Sequence, residues 1–155
     1  MIKKAEYSDL EPVAFLFDQY RQFYKQESNF SAAKNFIAER LRNGDSIIFV
    51  AYDEIGNEAA GFVQLYPTFS SVSMRKMWIL NDLFVSEKFR RNQFAKKLIE
   101  SCESFGKENK ARSLTLKTAM TNAPAQKLYE ALGWTKDTEF YSYYKRFNTQ
   151  GVSNS

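Results

Sequence analysis

The pattern of apolar and polar positions predicts a short strand and two helices at the start of the chain. Ile2 to Ala5 is predicted to be an opening strand, and Ser8 to Glu11 has the spacing of a helix capping box. Apolar residues then recur at helical spacing up to Tyr24, which indicates a helix with one buried face. Ser31 is expected to cap a second helix, which ends before Gly44.

β-branched and aromatic residues predict three strands in the middle of the chain. Ser46 to Tyr52 and Glu58 to Tyr66 flank a polar turn, and this arrangement predicts a hairpin. After a polar loop, Met77 to Val85 is apolar on both faces apart from Asn81 and Asp82. We therefore expect this run to be the central strand of the sheet.

The second half of the chain returns to helical spacing and ends in strand-like segments. A helix from Ala95 to about Asn109 is followed by a strand from Leu114 to Thr118, an order that implies a parallel pair with a crossover. Asn122 is expected to cap a helix that Gly133 ends. Two closing strands are predicted at residues 135–137 and 139–147. A chain of 155 residues is expected to form one domain over 1–147, with a disordered polar tail over 148–155.

Composition excludes several classes of enzyme. The chain has no histidine, which excludes histidine-assisted nucleophilic triads and histidine-ligated metal sites, and we expect no metal. No apolar run is long enough to cross a bilayer and no signal peptide is recognisable, so we expect a cytoplasmic protein without a membrane partner. The formal net charge of +4 favours an anionic partner, either a phosphorylated cofactor or a nucleic acid.

A basic turn joins the predicted central strand to the next helix. A helix N-terminus directly after a strand presents free backbone N–H groups and the positive end of the helix dipole, which is a natural site for a pyrophosphate. Five basic residues surround this turn: Lys88, Arg90, Arg91, Lys96 and Lys97. The alternative interpretation is that they are ordinary solvated surface charges.

Two motifs in this order resemble those of the GNAT superfamily of N-acetyltransferases. The cofactor motif of that family, Val followed by Arg or Gln-x-x-Gly-x-Gly or Ala, falls on Val85 and on Arg90, Arg91, Asn92, Gln93, Phe94 and Ala95. The later pattern Asn-x-x-Ala-x-x-x-Tyr-x-x-x-Gly-aromatic is met by Asn122, Ala125, Tyr129, Gly133 and Trp134. One residue departs from the first motif, because Gln93 replaces a glycine that permits close backbone approach to phosphate.

The resemblance implies an α/β (α+β) fold and acetyl-CoA as cofactor, with CoA as product. The fold would be a mixed, mostly antiparallel central sheet of six to seven strands, with a splayed central parallel pair and about four flanking helices. The pantetheine arm would lie in the splay against the backbone of Leu83, Phe84 and Val85, and the amides of residues 91–95 would hold the pyrophosphate. Further cofactor contacts are expected from Arg90, Asn122, Ala125 and Tyr129.

Direct attack of an amine on the thioester requires an oxyanion donor, an acid and a means of deprotonating the amine. The N–H of Leu83 is the expected oxyanion donor if the central strand is bulged. Tyr129 is the expected general acid, since a phenol with a pKa of about 10 can protonate a thiolate whose thiol has a pKa of about 8.5. The alternative is that Tyr129 only packs at the inner edge of an amphipathic helix. Asp82 is a candidate for binding the ammonium group and drawing off its proton, with a structural acceptor in the splay as the alternative.

The sequence leaves the acceptor open between a small amine, a polyamine, an amino acid and a protein lysine. Candidate acceptor contacts are Tyr24, Tyr66, Ser70, Ser71, Asp82 and Tyr141, and core or rim packing explains each nearly as well. A non-catalytic acyl-CoA-binding regulatory module is the alternative function, favoured by Gln93 and opposed by Tyr129. A nucleic-acid binder ranks third because no recognised nucleic-acid motif is present. The aromatic end at residues 140–147 suggests a homodimer contact.

Overall fold

The computed structural model describes residues 1–55 and 57–148 and divides the chain into two compact units. The first unit comprises residues 1–117 and the second begins at residue 118. The first contains five strands and three α-helices: β1 (Ile2–Lys4), α1 (Leu10–Phe23), α2 (Phe30–Asn43), β2 (Ile47–Asp53), β3 (Glu58–Ser70), β4 (Arg75–Val85), α3 (Phe94–Glu108) and β5 (Leu114–Leu116). The second contains α4 (Ala123–Ala131).

Local capping groups mark the start of the chain's first helical segment and both ends of α2. Ahead of α1, the Asp9 carboxylate accepts a hydrogen bond from the backbone N–H of Glu6 at 2.8 Å in a capping box around the 3-10 turn Tyr7–Asp9, and the N-cap side chain of α1 itself makes no capping bond, so the capping box expected at Ser8 to Glu11 is not formed. Asn29, not Ser31, caps α2 by accepting from the Ala32 N–H at 3.1 Å. Gly44 ends α2 with a φ of +61°, the left-handed conformation that glycine adopts without a steric penalty.

The strands form one mixed sheet in the order β1-β2-β3-β4-β5. The first four strands pair antiparallel in sequence order, and β5 pairs parallel to β4. The expected mixed, mostly antiparallel sheet with one parallel pair is therefore present. The crossover from β4 to β5 runs through α3, as the order strand, helix, strand predicts.

One face of the sheet packs against α1 and α2. Its buried core includes Val13, Leu16, Ile37, Phe62 and Phe84, so apolar residues from two helices and two strands meet there. On α3, Leu98, Ile99 and Cys102 are fully buried, and the Phe105 ring lies 5.0 Å from the Trp78 ring of β4. Among the described residues, no helix combines the length and apolar character needed to span a membrane.

The second unit has its own capped helix. Asn122 caps α4 by accepting from the Ala125 N–H at 3.2 Å, and Gly133 follows the helix with a φ of +90°. Both features agree with the sequence prediction.

The two closing strands predicted at residues 135–137 and 139–147 are not formed in the structure, which places residues 135–148 outside any strand. The Asp137 carboxylate accepts from the N–H groups of Glu139 and Phe140 at 2.9 and 3.3 Å. A side chain that binds nearby backbone N–H groups offers them an alternative to a ladder. The sheet therefore has five strands in the described residues, and not the six to seven expected. Of the predicted tail, residues 149–155 lie outside the described part of the chain, and the single domain over 1–147 stays a prediction.

Candidate active site

A bulge in β4 reverses the direction of the backbone groups in its second half. Gln64 pairs with Asp82 whereas Leu65 pairs with Leu80, so Asn81 is the extra residue. Before the bulge, the backbone of Trp78 faces β5, since its N–H donates to the Ser113 carbonyl at 3.2 Å. After the bulge, Ser86 donates to the Ala60 carbonyl of the β3 side at 2.8 Å. One added residue changes which strand each backbone group faces.

The bulge turns the backbone of Leu83 and Val85 away from β3. Hydrogen-bonded and non-hydrogen-bonded pairs alternate along an antiparallel ladder. Because the Ser86 N–H is hydrogen-bonded to the Ala60 carbonyl, the backbone N–H and C=O groups of residues 84 and 82 also face β3. The backbone groups of residues 83 and 85 face the opposite edge of β4. β5 pairs with β4 only at Trp78 to Leu80. Within residues 1–117, no strand lies against this edge of β4 beyond Leu80, and of the backbone groups there the Val85 carbonyl accepts a hydrogen bond from Arg90 Nε at 3.1 Å.

The basic turn after β4 contains two residues in the left-handed conformation. Arg91 and Gln93 have φ values of +71° and +61°, and Gln93 is the residue before the first turn of α3. Within the described residues, the amides of Arg91, Asn92 and Gln93 donate no backbone hydrogen bond, and the first-turn amides of Phe94 and Ala95 have no intrahelical partner. Successive N–H groups in such a turn form an anion-binding concavity. Gln93 therefore adopts the left-handed conformation, which a glycine would adopt without a steric penalty.

The basic residues of this turn differ in their contacts. Arg90 donates from Nε to the Val85 carbonyl at 3.1 Å, and its guanidinium lies 5.6 Å from the Phe23 ring centre. Arg90 thus links the end of β4 to α1. Lys88 pairs with Glu58 at 2.7 Å and Lys96 approaches Glu100 at 3.9 Å, so the surface-charge interpretation describes these two lysines well.

A buried polar cluster lies on the α1 face of the sheet at the level of the bulge. Asp82 is 5 % exposed and Gln64 is 0 % exposed. Gln64 donates from Nε2 to Asp82 Oδ2 at 2.7 Å, and Asn81 donates from Nδ2 to Asp82 Oδ1 at 3.1 Å. The hydroxyl of Tyr20 on α1 also hydrogen-bonds to the Asp82 carboxylate. These three donors leave about one of the four acceptor positions of the carboxylate for another group.

Burial dominates the titration of this cluster. It raises the pKa of the Asp82 carboxyl above its ordinary value, although the hydrogen bonds from Gln64, Tyr20 and Asn81 act to lower it. Burial and the nearby Asp82 charge raise the pKa of Tyr66 to about 12, and the same two causes raise the pKa of Tyr20 well above its ordinary value. Both phenols therefore stay protonated at neutral pH.

The structure brings together some of the predicted acceptor contacts and separates others. Tyr66 is half-buried beside Gln64, and the exposed Tyr24 ring lies 5.0 Å from the Tyr20 ring. Ser70 and Ser71 lie at the far end of the β3–β4 hairpin, where the Ser70 hydroxyl accepts from the Ser73 N–H at 3.3 Å. At about 3.3 Å per residue, this is roughly 20 Å along the strand from Gln64. The two serines are therefore not assembled with Asp82.

The remaining predicted site residues lie in the second unit. Tyr129 is half-buried on α4, and its ring centre lies 5.8 Å from that of Trp134. The Trp134 N–H donates to the Tyr129 carbonyl at 3.0 Å. Tyr141 is 90 % exposed. The pattern from Asn122 to Trp134 thus forms a capped helix whose last residues fold back on Tyr129.

Sequence reasoning missed Gln64 and Tyr20. Gln64 interrupts the buried run Gly61 to Leu65, and a polar residue inside such a run requires a hydrogen-bonding partner. That interruption was the signal. Tyr20 carried no comparable signal, because an aromatic residue at helical spacing is equally well explained by core packing.

The chain is similar in sequence and fold to known acetyltransferases. The sequence model of the acetyltransferase (GNAT) family matches residues 11–134. The uncharacterized N-acetyltransferase YhfO of Bacillus subtilis (strain 168) is 44% identical over 142 residues, which cover 92% of this chain and 94% of that protein. The crystal structure of a probable acetyltransferase superposes with a TM-score of 0.92 at 35% identity, covering 97% of this chain and 99% of the other.

A more distant structure shares the fold. AAC(6')-Iy in complex with the bisubstrate analogue CoA-S-monomethyl-acetylneamine superposes with a TM-score of 0.75 at 23% identity, covering 95% of this chain and 98% of the other. At that identity the similarity shows the fold alone.

Proposed function

The chain belongs to the GNAT family of N-acetyltransferases, and we propose that it transfers the acetyl group of acetyl-CoA directly to a primary amine. The observation that carries this proposal is the phase of β4 after its bulge. Leu83 and Val85 present backbone groups at an edge with no neighbouring strand in residues 1–117, and the basic turn with its unpaired amides follows directly. A strand edge suits the amide groups of the pantetheine arm of CoA, and a helix N-terminus suits the pyrophosphate of CoA.

In this proposal the pantetheine arm runs along Leu83, Phe84 and Val85. The amides of residues 91–95 hold the pyrophosphate, while Arg90 fixes the end of β4 through its bond to the Val85 carbonyl. The N–H of Leu83 donates to the oxyanion that forms at the thioester carbon, where a preorganised donor is worth about 3 kcal/mol. The family pattern adds Asn122, Ala125 and Tyr129 as cofactor contacts.

Asp82 binds the acceptor ammonium group and takes its proton in this proposal. A desolvated carboxylate with about one free acceptor position favours a compact ammonium over a larger guanidinium group. The aromatic rings of Tyr20 and Tyr66 beside it favour a cation as well. Tyr129 returns a proton to the leaving thiolate, a role that rests on its position in the motif.

We further propose that the protein forms a homodimer. Between residues 140 and 147, five aromatic side chains are at least three-quarters exposed: Phe140, Tyr141, Tyr143, Tyr144 and Phe147. Clustered exposed aromatic residues are typical of contact surfaces. Light scattering after size exclusion tests this, and a monomer at micromolar concentration would contradict it.

Thermal unfolding with ligands tests the cofactor. A ligand that binds only the native state raises Tm by mass action, so acetyl-CoA and CoA at 100 times Kd should each stabilise by about 2.7 kcal/mol. An equimolar adenine nucleotide is the control and should shift Tm much less. No shift with millimolar acetyl-CoA would refute the cofactor assignment.

A panel of amines then identifies the acceptor class. The panel contains spermidine, a lysine ester, a simple alkylamine and a peptide with a free N-terminus, and the readout is release of the CoA thiol. Preference for the alkylamine would identify a small monoamine acceptor, whereas preference for the peptide would identify a protein substrate.

A further inference from the structure

The Gln64 side chain connects three groups of the buried cluster. Its Nε2 donates to Asp82 Oδ2 at 2.7 Å and to the Tyr66 hydroxyl oxygen at 3.1 Å, and its Oε1 accepts from Ser46 Oγ at 2.9 Å. A side-chain amide has two N–H donors and one oxygen. Both N–H groups and the oxygen of the Gln64 amide are therefore hydrogen-bonded, and the side chain is held in one orientation.

The chemistry of the partners fixes that orientation. An ionised carboxylate only accepts hydrogen bonds, so the amide nitrogen of Gln64 must face Asp82 and its oxygen must face Ser46. Because the Tyr66 oxygen accepts from the same nitrogen, the Tyr66 O–H proton is not used in that bond. Tyr66 and Ser46 are half-buried while Gln64 is fully buried, so the hydroxyls of Tyr66 and Ser46 are the more exposed ends of this network.

We propose that Gln64 is the positioning residue of the acceptor site, which keeps Asp82 ionised and directs the Tyr66 hydroxyl toward the amine. This inference rests on the proposed function, because it assumes that Asp82 binds the acceptor. Gln64 touches no reacting atom; it acts through Asp82 and Tyr66.

The other titratable and charged groups near Asp82 come from three elements. Tyr20 of α1 and Tyr66 of β3 lie next to the carboxyl, Tyr24 contacts Tyr20, and Tyr66 is near the ion pair of Arg40 with Asp45, which is 2.8 Å long. Burial and the nearby Asp82 charge raise the pKa of both Tyr20 and Tyr66 above the ordinary phenol value, so neither of these two phenols ionises at neutral pH. A change in the acid limb of the pH profile is therefore assigned to Asp82, whose pKa is raised by burial.

The decisive variant is Gln64→Glu, which has the shape of the native residue. It replaces the amide group that donates to Asp82 by a second carboxyl group. Two adjacent carboxyl groups share one proton, and the pKa at which they lose it lies well above the ordinary carboxyl value. We expect the acid limb of kcat/KM to move up by about one pH unit or more. The ratio of variant to wild-type kcat/KM cancels the titration of the amine itself, and it should fall about tenfold or more as the pH is lowered through this limb.

Gln64→Leu provides the same test without adding charge. It removes a hydrogen bond that lowers the Asp82 pKa, so its ratio should fall in the same direction by a smaller factor. It also covers the case in which a buried glutamate prevents folding. Tm is recorded for each variant to confirm that the folded protein is assayed.

Gln22→Glu is the matched control. Gln22 donates from Nε2 to Asp18 Oδ2 at 3.3 Å. The same charge change is therefore made beside an aspartate on α1 instead of Asp82 on β4. Its ratio to wild type should stay constant with pH.

The assay uses acetyl-CoA with the amine of the panel that reacts fastest. If the wild type acetylates no amine, the proposed function fails and this inference fails with it. If the wild type is active but both Gln64 variants give ratios that do not change with pH, the role of Gln64 alone is wrong. The role of Gln64 is supported if the ratio of variant to wild-type kcat/KM falls with decreasing pH in both Gln64 variants and stays constant in Gln22→Glu.

Discussion

Gly61 lies directly opposite Val85 in the β3–β4 ladder, and a Cβ on Gly61 would meet the Phe84 carbonyl oxygen at 2.6 Å. No side chain fits at this position without moving the end of β4. Because Gly61 has no side chain, the end of β4 can lie this close to β3. This is the part of β4 whose backbone is proposed to hold the cofactor arm.

Gly61→Ala should therefore displace the end of β4. We expect a loss of about 1 to 3 kcal/mol in the free energy of unfolding, since the clash is with backbone and not with a flexible side chain. The Kd for CoA should rise in the same variant. Urea unfolding and titration calorimetry measure the two effects.

Gly106→Ala is the matched control for this change. Gly106 lies inside α3, and its added Cβ would meet Leu114 Cδ2 at 3.4 Å, an ordinary contact. Replacing an interior helix glycine by alanine should stabilise by about 0.5 to 1 kcal/mol and leave CoA affinity unchanged. Similar destabilisation by both substitutions would contradict the assigned role of Gly61.

Gln93→Gly should stabilise the turn and tighten CoA binding. Gln93 has a φ of +61°, where a residue with a Cβ costs about 1 kcal/mol relative to glycine. Relieving this strain and removing the side chain should lower the Kd for CoA while raising the free energy of unfolding by about 1 kcal/mol.

Lys110→Gly separates the two effects of that substitution. Lys110 has a φ of +56° directly after α3, away from the basic turn. It should give a similar stabilisation in urea unfolding without a change in CoA affinity. An equal change in affinity in both variants would show that the Gln93 turn does not contact CoA.

Asp82→Asn should change how stability depends on pH. The folded-state pKa of Asp82 is raised above its ordinary value of 3.8, so the folded protein binds this proton more tightly than the unfolded chain does. The contribution of Asp82 to stability is therefore greatest below the unfolded value and is lost as the pH rises through the folded value. Urea unfolding at pH 4 and pH 7 should show the variant gaining stability relative to wild type at the higher pH. A pH-independent difference would indicate that Asp82 is not desolvated.

Tyr129→Phe should lower kcat by a factor of about 100 or more while CoA binds nearly as before, because only the proton for the thiolate is removed. Steady-state kinetics measures kcat, and titration calorimetry measures the binding of CoA. Tyr143→Phe removes an exposed phenol of the same unit and should leave both unchanged. Full activity of Tyr129→Phe would require another acid.

The sequence predicted the elements of the first unit because their signals are local. The turn after Tyr52, the glycine that ends α2 and the order strand, helix, strand require no knowledge of distant contacts. The splay between the parallel strands was implied by the resemblance alone, and β5 pairs with β4 over its three residues.

Features that depend on neighbouring strands were not predictable from local signals. β3 extends to Ser70 and not only to Tyr66, because Pro67 lies beyond the last residue paired with β2 and its missing N–H costs no ladder bond. Residues 135–147 alternate like a strand, yet they form none without a pairing partner. The hydrogen bond from Gln64 to Asp82 likewise depends on the register of two strands.

The most direct test of the central claim is the mass of the reaction products. The protein is incubated with acetyl-CoA and each amine of the panel, and free CoA and acetylated amine are quantified together. We predict that at least one primary amine gains 42 mass units, roughly the mass of an acetyl group replacing a hydrogen, in a one-to-one ratio to CoA released. Binding of acetyl-CoA without any acetylated amine, or release of CoA without an amine product, would contradict the account.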